Sequence, residues 1–209
     1  MNETFFLTEP QFQILVWLSY RIAATFAFGL PLFLLIWAKR SNLRSIDRLL
    51  SIYWKVSSLY AINLLFLSVE SQLGPLISLV APILMVVSIW FWFDLNAELD
   101  QMPIYNSIAL TTRIWRWTLS FWCILNSGLH IYSWQCSNSI DQNYCETWRE
   151  IPFNSFMTTK TIIKFVLDGN WSKGFATFFA YLALILYLIG LLQWLLIQLP
   201  KNGRFAGKF

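Results

Sequence analysis

The stretch Phe175–Leu199, FATFFAYLALILYLIGLLQWLLIQL, holds no charged residue, and its reading decides the class of fold. A helix needs roughly 20 mostly apolar residues to cross the hydrocarbon core of a bilayer. This run is long enough, is continuous, and is closed by Pro200 and Lys201. A barrel strand alternates apolar and polar residues over about ten positions, so the run reads as a spanning helix. Four further stretches read the same way: 22–38, 50–69, 76–93 and 114–133, the last being the least apolar. The expected fold is therefore all-α, a single integral membrane domain over 1–209, built as a polytopic membrane helix bundle with about five transmembrane helices.

Composition supports this reading. Of the 209 residues, 57% are hydrophobic and 12% charged, against roughly half and a quarter in soluble domains. A soluble chain could not cover that much apolar surface with so few charges, whereas lipid can. Aromatics make up 18%, with 12 Trp, and Trp and Tyr favour the headgroup level. The net charge of +4 comes without a basic patch interleaved with base-stacking aromatics, so no nucleic-acid partner is expected.

Lys and Arg in the short flanks set the expected orientation. Lys39, Arg40, Arg44 and Arg48 lie in the first loop, with Lys55 just inside the next span, and Lys201, Arg204 and Lys208 lie in the tail. An odd number of spans places both on one side, assigned to the cytoplasm. The N-terminus and the long connection 135–174 then lie on the opposite, non-cytoplasmic face. Met1–Pro10 carries Glu3 and Glu9 and no basic stretch, so no cleavable signal is expected. Pro10–Tyr20 reads as an interfacial helix or as an extension of the first span.

Pro31 and Pro82 lie within spans and are expected to bend them, as in transporters and in many inert membrane helices. Ala23 with Ala27, and Ala176 with Ala180, offer small surfaces for close helix approach. No internal repeat of the transporter kind is present.

Among residues able to carry chemistry, Cys136 and Cys145 share the outer connection, separated by a turn-favouring segment. An oxidising compartment would bridge them; free thiols and a redox switch are the rival readings. Cys123 lies inside a span and reads as a packing residue. His130, the single histidine, stands one turn after Asn126 and forms with it a candidate polar or pigment-binding site. Its imidazole could ligate a chlorophyll or haem metal, or simply bond a carbonyl or water at the interface. Asn63, Asn126 and Gln193 suit inter-helix hydrogen bonds, or the lining of a path. The run Trp90–Asp100 joins an aromatic belt to Asp94, Glu98 and Asp100, a candidate docking segment for another membrane complex. Arg48, Arg113 and Arg116 are placed to pair with these carboxylates. Ile151–Asp168 reads as an amphipathic surface helix, with Lys160 and Lys164 one turn apart. No metal-site spacing, P-loop, dinucleotide fingerprint or hydrolase motif is present, so there is no positive reason to expect an enzyme.

Six stretches carry a further signal: Leu35-Ile-Trp-Ala-Lys-Arg40, Ile52-Tyr-Trp-Lys-Val-Ser-Ser-Leu59, Ser88-Ile-Trp-Phe-Trp-Phe-Asp-Leu-Asn96, Arg113-Ile-Trp-Arg-Trp117, Asn143-Tyr-Cys145 and Leu199-Pro-Lys-Asn-Gly-Arg204. Together they resemble an uncharacterised family of small multi-pass membrane proteins of cyanobacteria. The resemblance implies a thylakoid or plasma membrane of a photosynthetic cell. In that setting the expected role is a non-catalytic accessory or assembly factor of a photosynthetic complex, most plausibly a photosystem. Its partners would be lipid and photosystem subunits, with chlorophyll or carotenoid as conceivable ligands. The alternative is a small oligomeric transporter or channel; a membrane enzyme acting on lipid or pigment ranks last. Thiol alkylation tests the cysteine pair: Cys136 and Cys145 are expected to label only after reduction, and labelling without reductant would exclude the bridge.

Overall fold

The computed structural model describes residues 9–69, 71–103, 105–135 and 172–198, together with residues 154, 157, 160, 161 and 164. Among the described residues the secondary structure is helical, without strands. The fold is an all-α bundle of the membrane type. The elements are α1 (Glu9–Ile22), a π-helical stretch (Ala23–Gly29), α2 (Leu30–Arg40), α3 (Arg44–Ser68), α4 (Leu73–Trp90), α5 (Phe93–Gln101), α6 (Ser107–Gln135), α7 (Lys173–Gln193) and a second π-helical stretch (Trp194–Gln198).

Four helical runs are long and apolar enough to cross a membrane: Ile14–Arg40, Arg44–Ser68, Leu73–Trp90 and Lys173–Ile197. The expected span 114–133 falls inside α6. With 29 residues α6 has the length, but Arg113, Arg116, Asn126 and His130 make it less apolar than the other four. The bundle hides three of these groups: Arg116, Asn126 and His130 are all buried. Pro10–Tyr20 resolves as an extension of the first span, because α1, the π stretch and α2 form one continuous helical run from Glu9.

Pro31 shapes that run. It has no N–H, so one carbonyl of the preceding turn loses its partner. In the π register, where the Leu30 N–H bonds to Thr25 O, the orphan is Phe26 O; in the α register it is Ala27 O. Both are served from other helices. Trp115 Nε1 of α6 donates to Phe26 O at 2.8 Å, and the Tyr53 hydroxyl of α3 donates to Ala27 O at 2.8 Å. The two rings meet edge to face, 5.0 Å between centroids. Ala23 and Ala27 are buried, and without larger side chains there the neighbouring helices approach closely enough for these bonds. Pro82, by contrast, sits inside an unbroken α4.

The α2–α3 corner explains where the first hairpin turns. The Asn42 N–H bonds to Lys39 O and the Leu43 N–H to Ala38 O at 3.1 Å, the paired pattern of a Schellman cap. That cap needs a left-handed residue, and Asn42 takes it with φ of 55°; asparagine tolerates this conformation better than most side chains. The chain then packs α3 against α4 and α4 against α6, with α7 against α3. Lys39, Arg40, Arg44 and Arg48 define a basic end of the bundle, which α5 also occupies.

Helix α7 is peripheral. Only 11% of its apolar window is buried, against 56% for α3. It touches the bundle through Ala176 and Ala180, both fully buried, and through Tyr181 edge-on to Phe66 at 5.2 Å. Cys136 and Cys145 lie outside the described residues. So does most of Ile151–Asp168, of which Asn154, Met157, Lys160, Thr161 and Lys164 are helical and exposed.

A double-mutant cycle tests the proline repair. Trp115→Phe removes the donor to Phe26 O and is expected to lower stability by about 1–3 kcal/mol. Pro31→Ala returns an N–H to the helix, so the double variant should lose clearly less than the sum. Thermal unfolding in detergent reads this, and strictly additive losses would refute the link.

Candidate functional site

Two groupings of polar side chains stand out in a molecule otherwise packed with hydrocarbon. The first is at the basic end. Helix α5 is short and mostly polar, too short to be stable alone. It is held by Leu95 and Leu99, both buried, and by two arginines of α6. Arg113 Nη2 donates to the carbonyls of Leu99, of Asp100 at 2.9 Å and of Met102 at 2.8 Å. These lie at the helix C-terminus, where the last carbonyls lack i+4 partners and Leu99 O accepts the Met102 N–H at 3.3 Å, and a cation there also opposes the negative end of the helix dipole. Arg116 lies almost wholly buried between α4, α5 and α6. It donates to Asn96 Oδ1, pairs with Asp100 Oδ1 at 3.4 Å, and stacks over Trp90, 4.8 Å from the ring centroid. Trp90 Nε1 is in turn bonded to Ser120 Oγ at 2.8 Å, and Asn96 Nδ2 donates back to Ile89 O and Trp90 O, each at 3.3 Å.

The expected pairing of Arg48, Arg113 and Arg116 with the acidic segment thus holds for Arg116 and is corrected for Arg113. Among the described residues the ion pair formed is Arg116 with Asp100. Arg113 is drawn to carbonyls instead, because α5 ends directly beneath it. Glu98 accepts from Ser45 Oγ at the start of α3. Asp100 and Glu98 remain exposed, and Asp94 is half-buried in the first turn of α5. The acidic segment is therefore a fixed surface element rather than a loose loop.

The second grouping lies toward the opposite end. Ser19 Oγ of α1 donates to Asn126 Oδ1 of α6 at 2.6 Å, and the Tyr60 hydroxyl faces the same amide. Asn63 Nδ2 of α3 donates to Ser78 Oγ of α4 at 2.6 Å. Both asparagines thus bond between helices, where removing the partner would leave a polar group in hydrocarbon. His130 follows Asn126 on the same face of α6 and is 3% exposed. A macrocycle ligated by His130 would have to take the place of packed protein. Gln193 is exposed near the basic end of α7, and Cys123 is buried in α6. Among the described residues no cluster of three or more His, Cys, Asp or Glu could hold a metal ion.

The roles of Tyr53, Trp115 and Asn96 were not legible in the sequence, where nothing local singles them out. The signal available was Pro31: a buried proline demands donors from elsewhere, and a tyrosine and a tryptophan in neighbouring spans can supply them.

Residues 13–207 match a family described as "Protein of unknown function (DUF3177)", and the chain belongs to that family. No curated protein and no solved structure matches the chain.

The arginine anchoring has a measurable consequence. Arg116→Lys keeps the charge but loses the planar fork that reaches Asn96 and Asp100 together, so faster hydrogen exchange is expected across residues 93–101. Asp100→Asn, at an exposed partner, should change exchange there little. Equal protection in wild type and Arg116→Lys would refute the anchoring role.

Proposed function

We propose that the chain, as a member of that family, is a non-catalytic accessory or assembly factor of a larger membrane complex. The observation that carries the reading is α5. A nine-residue helix outside the spans is fixed on the bundle by two arginines, with Glu98 and Asp100 facing outward. Order in a short polar segment is conformational entropy already lost before a partner arrives, and this favours recognition. The acidic face suits a partner surface rich in Lys and Arg. In the setting implied by the sequence resemblance, the complex is a photosystem in a thylakoid or plasma membrane. The basic end, with α5, is then cytoplasmic, as the Lys and Arg distribution favours.

A second reading, an oligomeric transporter, draws on the buried polar layer of Ser19, Asn63, Ser78 and Asn126, which would surround a path through the bundle. Mild-detergent capture of tagged protein from its native membranes separates the two. Stoichiometric complex subunits are expected with wild type and are expected to be lost with the pair Glu98→Lys and Asp100→Lys. Recovery of the chain alone, or only with itself, would overturn the accessory reading and make vesicle flux the deciding assay.

A further inference from the structure

Lys55 is the last charge that α3 carries before its wholly uncharged half. Arg44, Arg48, Ser51 and Lys55 recur at helical spacing and so share one face of α3. Arg44 and Lys55 are exposed and Arg48 is half-buried. Among the described residues the ion pair formed is Arg116 with Asp100, so this cationic stripe has no carboxylate partner there. It leads from the basic end to a place where α3 and α7 stand apart.

The gap is a cavity of about 360 Å³ walled by Ile52, Lys55 and Val56 on one side and Tyr187, Gly190 and Trp194 on the other. That volume lies within the roughly 300–1,000 Å³ typical of small-ligand sites. The Tyr187 hydroxyl is buried without a hydrogen-bond partner among the described residues. Gly190 faces the open groove, since a Cβ added there would meet nothing within 4 Å. Trp194 begins the second π-helical stretch and rests edge-on against Trp92, 5.6 Å between centroids. Tryptophans at this level mark the headgroup boundary, and π turns in helices frequently accompany binding sites.

We propose that this groove binds an anionic glycerolipid, with one acyl chain between α3 and α7 and its anionic headgroup on Lys55. The walls are apolar, so they favour hydrocarbon. The lysine stem lies along them while its ammonium reaches toward the headgroups, where each cation near the surface attracts anionic lipid. A protein helix is the poorer occupant, because seating it would bury the Lys55 charge without a carboxylate to meet it. The assignment stands independently of the accessory role.

Native mass spectrometry of the full chain in detergent micelles, with phosphatidylglycerol or phosphatidylcholine of matched acyl chains, tests it. Wild type is expected to retain one phosphatidylglycerol per chain, about five-fold over phosphatidylcholine. Lys55→Gln should reduce phosphatidylglycerol to the phosphatidylcholine level. Gly190→Leu, which fills the groove with a good helix former, should reduce both lipids while circular dichroism shows unchanged helicity. Equal retention of the two lipids by wild type, a preference that survives Lys55→Gln, or unaltered retention in Gly190→Leu would each overturn the site.

Discussion

The missing N–H of Pro31 is repaired by helices far away in the chain, and much of the architecture follows from how that is done. In hydrocarbon no water is present to satisfy Phe26 O or Ala27 O. The donors come from Trp115 and Tyr53, at 2.8 Å each. To deliver them, α3 and α6 must both lie against the π-helical stretch, and they can do so because Ala23 and Ala27 present almost no side chain. The edge-to-face contact of the two rings then fixes the distance between α3 and α6. One absent hydrogen thus ties the first span, the second and α6 into a three-way contact.

That contact also accounts for the position of the polar helix. Helix α6 carries two arginines, an asparagine and a histidine, a combination that lipid would exclude. Inside the bundle each finds a use or a cover. Arg113 and Arg116 turn to α5 at the basic end, Asn126 turns to Ser19, and His130 is enclosed. The burial of α6 is therefore a condition for its presence in the membrane. α7, uncharged along its spanning length, needs no such cover and stays at the edge, touching the rest through Ala176, Ala180, Tyr181 and Trp194.

The two faces with functional promise arise from this division. At the basic end, α5 is ordered because Arg113 and Arg116 cap and grip it, leaving Glu98 and Asp100 outward. Between α3 and α7 the contact is made by Tyr181 against Phe66 at one end, while Trp194 rests on Trp92 at the other. The helices do not close over Lys55, and an apolar groove with a cation at its mouth remains.

Membrane class, the rough positions of four spans, the basic end and the close-packing alanines were legible one stretch at a time, because each depends on local composition or short periodicity. Uncharged length, clustered Lys and Arg, and paired Ala are readable one stretch at a time. Whether Pro10–Tyr20 lies on the surface or continues the first span was left open, since its polar residues suit either. The partners of Arg113, the donors to Phe26 O and Ala27 O, and the groove at Lys55 were decided only by tertiary structure. Each joins residues distant along the chain, and a hydrogen bond of this kind depends on an approach of a few ångströms that no local pattern records. An arginine beneath the end of a helix prefers its unpaired carbonyls to a carboxylate farther off, and that choice exists only once α5 and α6 have been brought together.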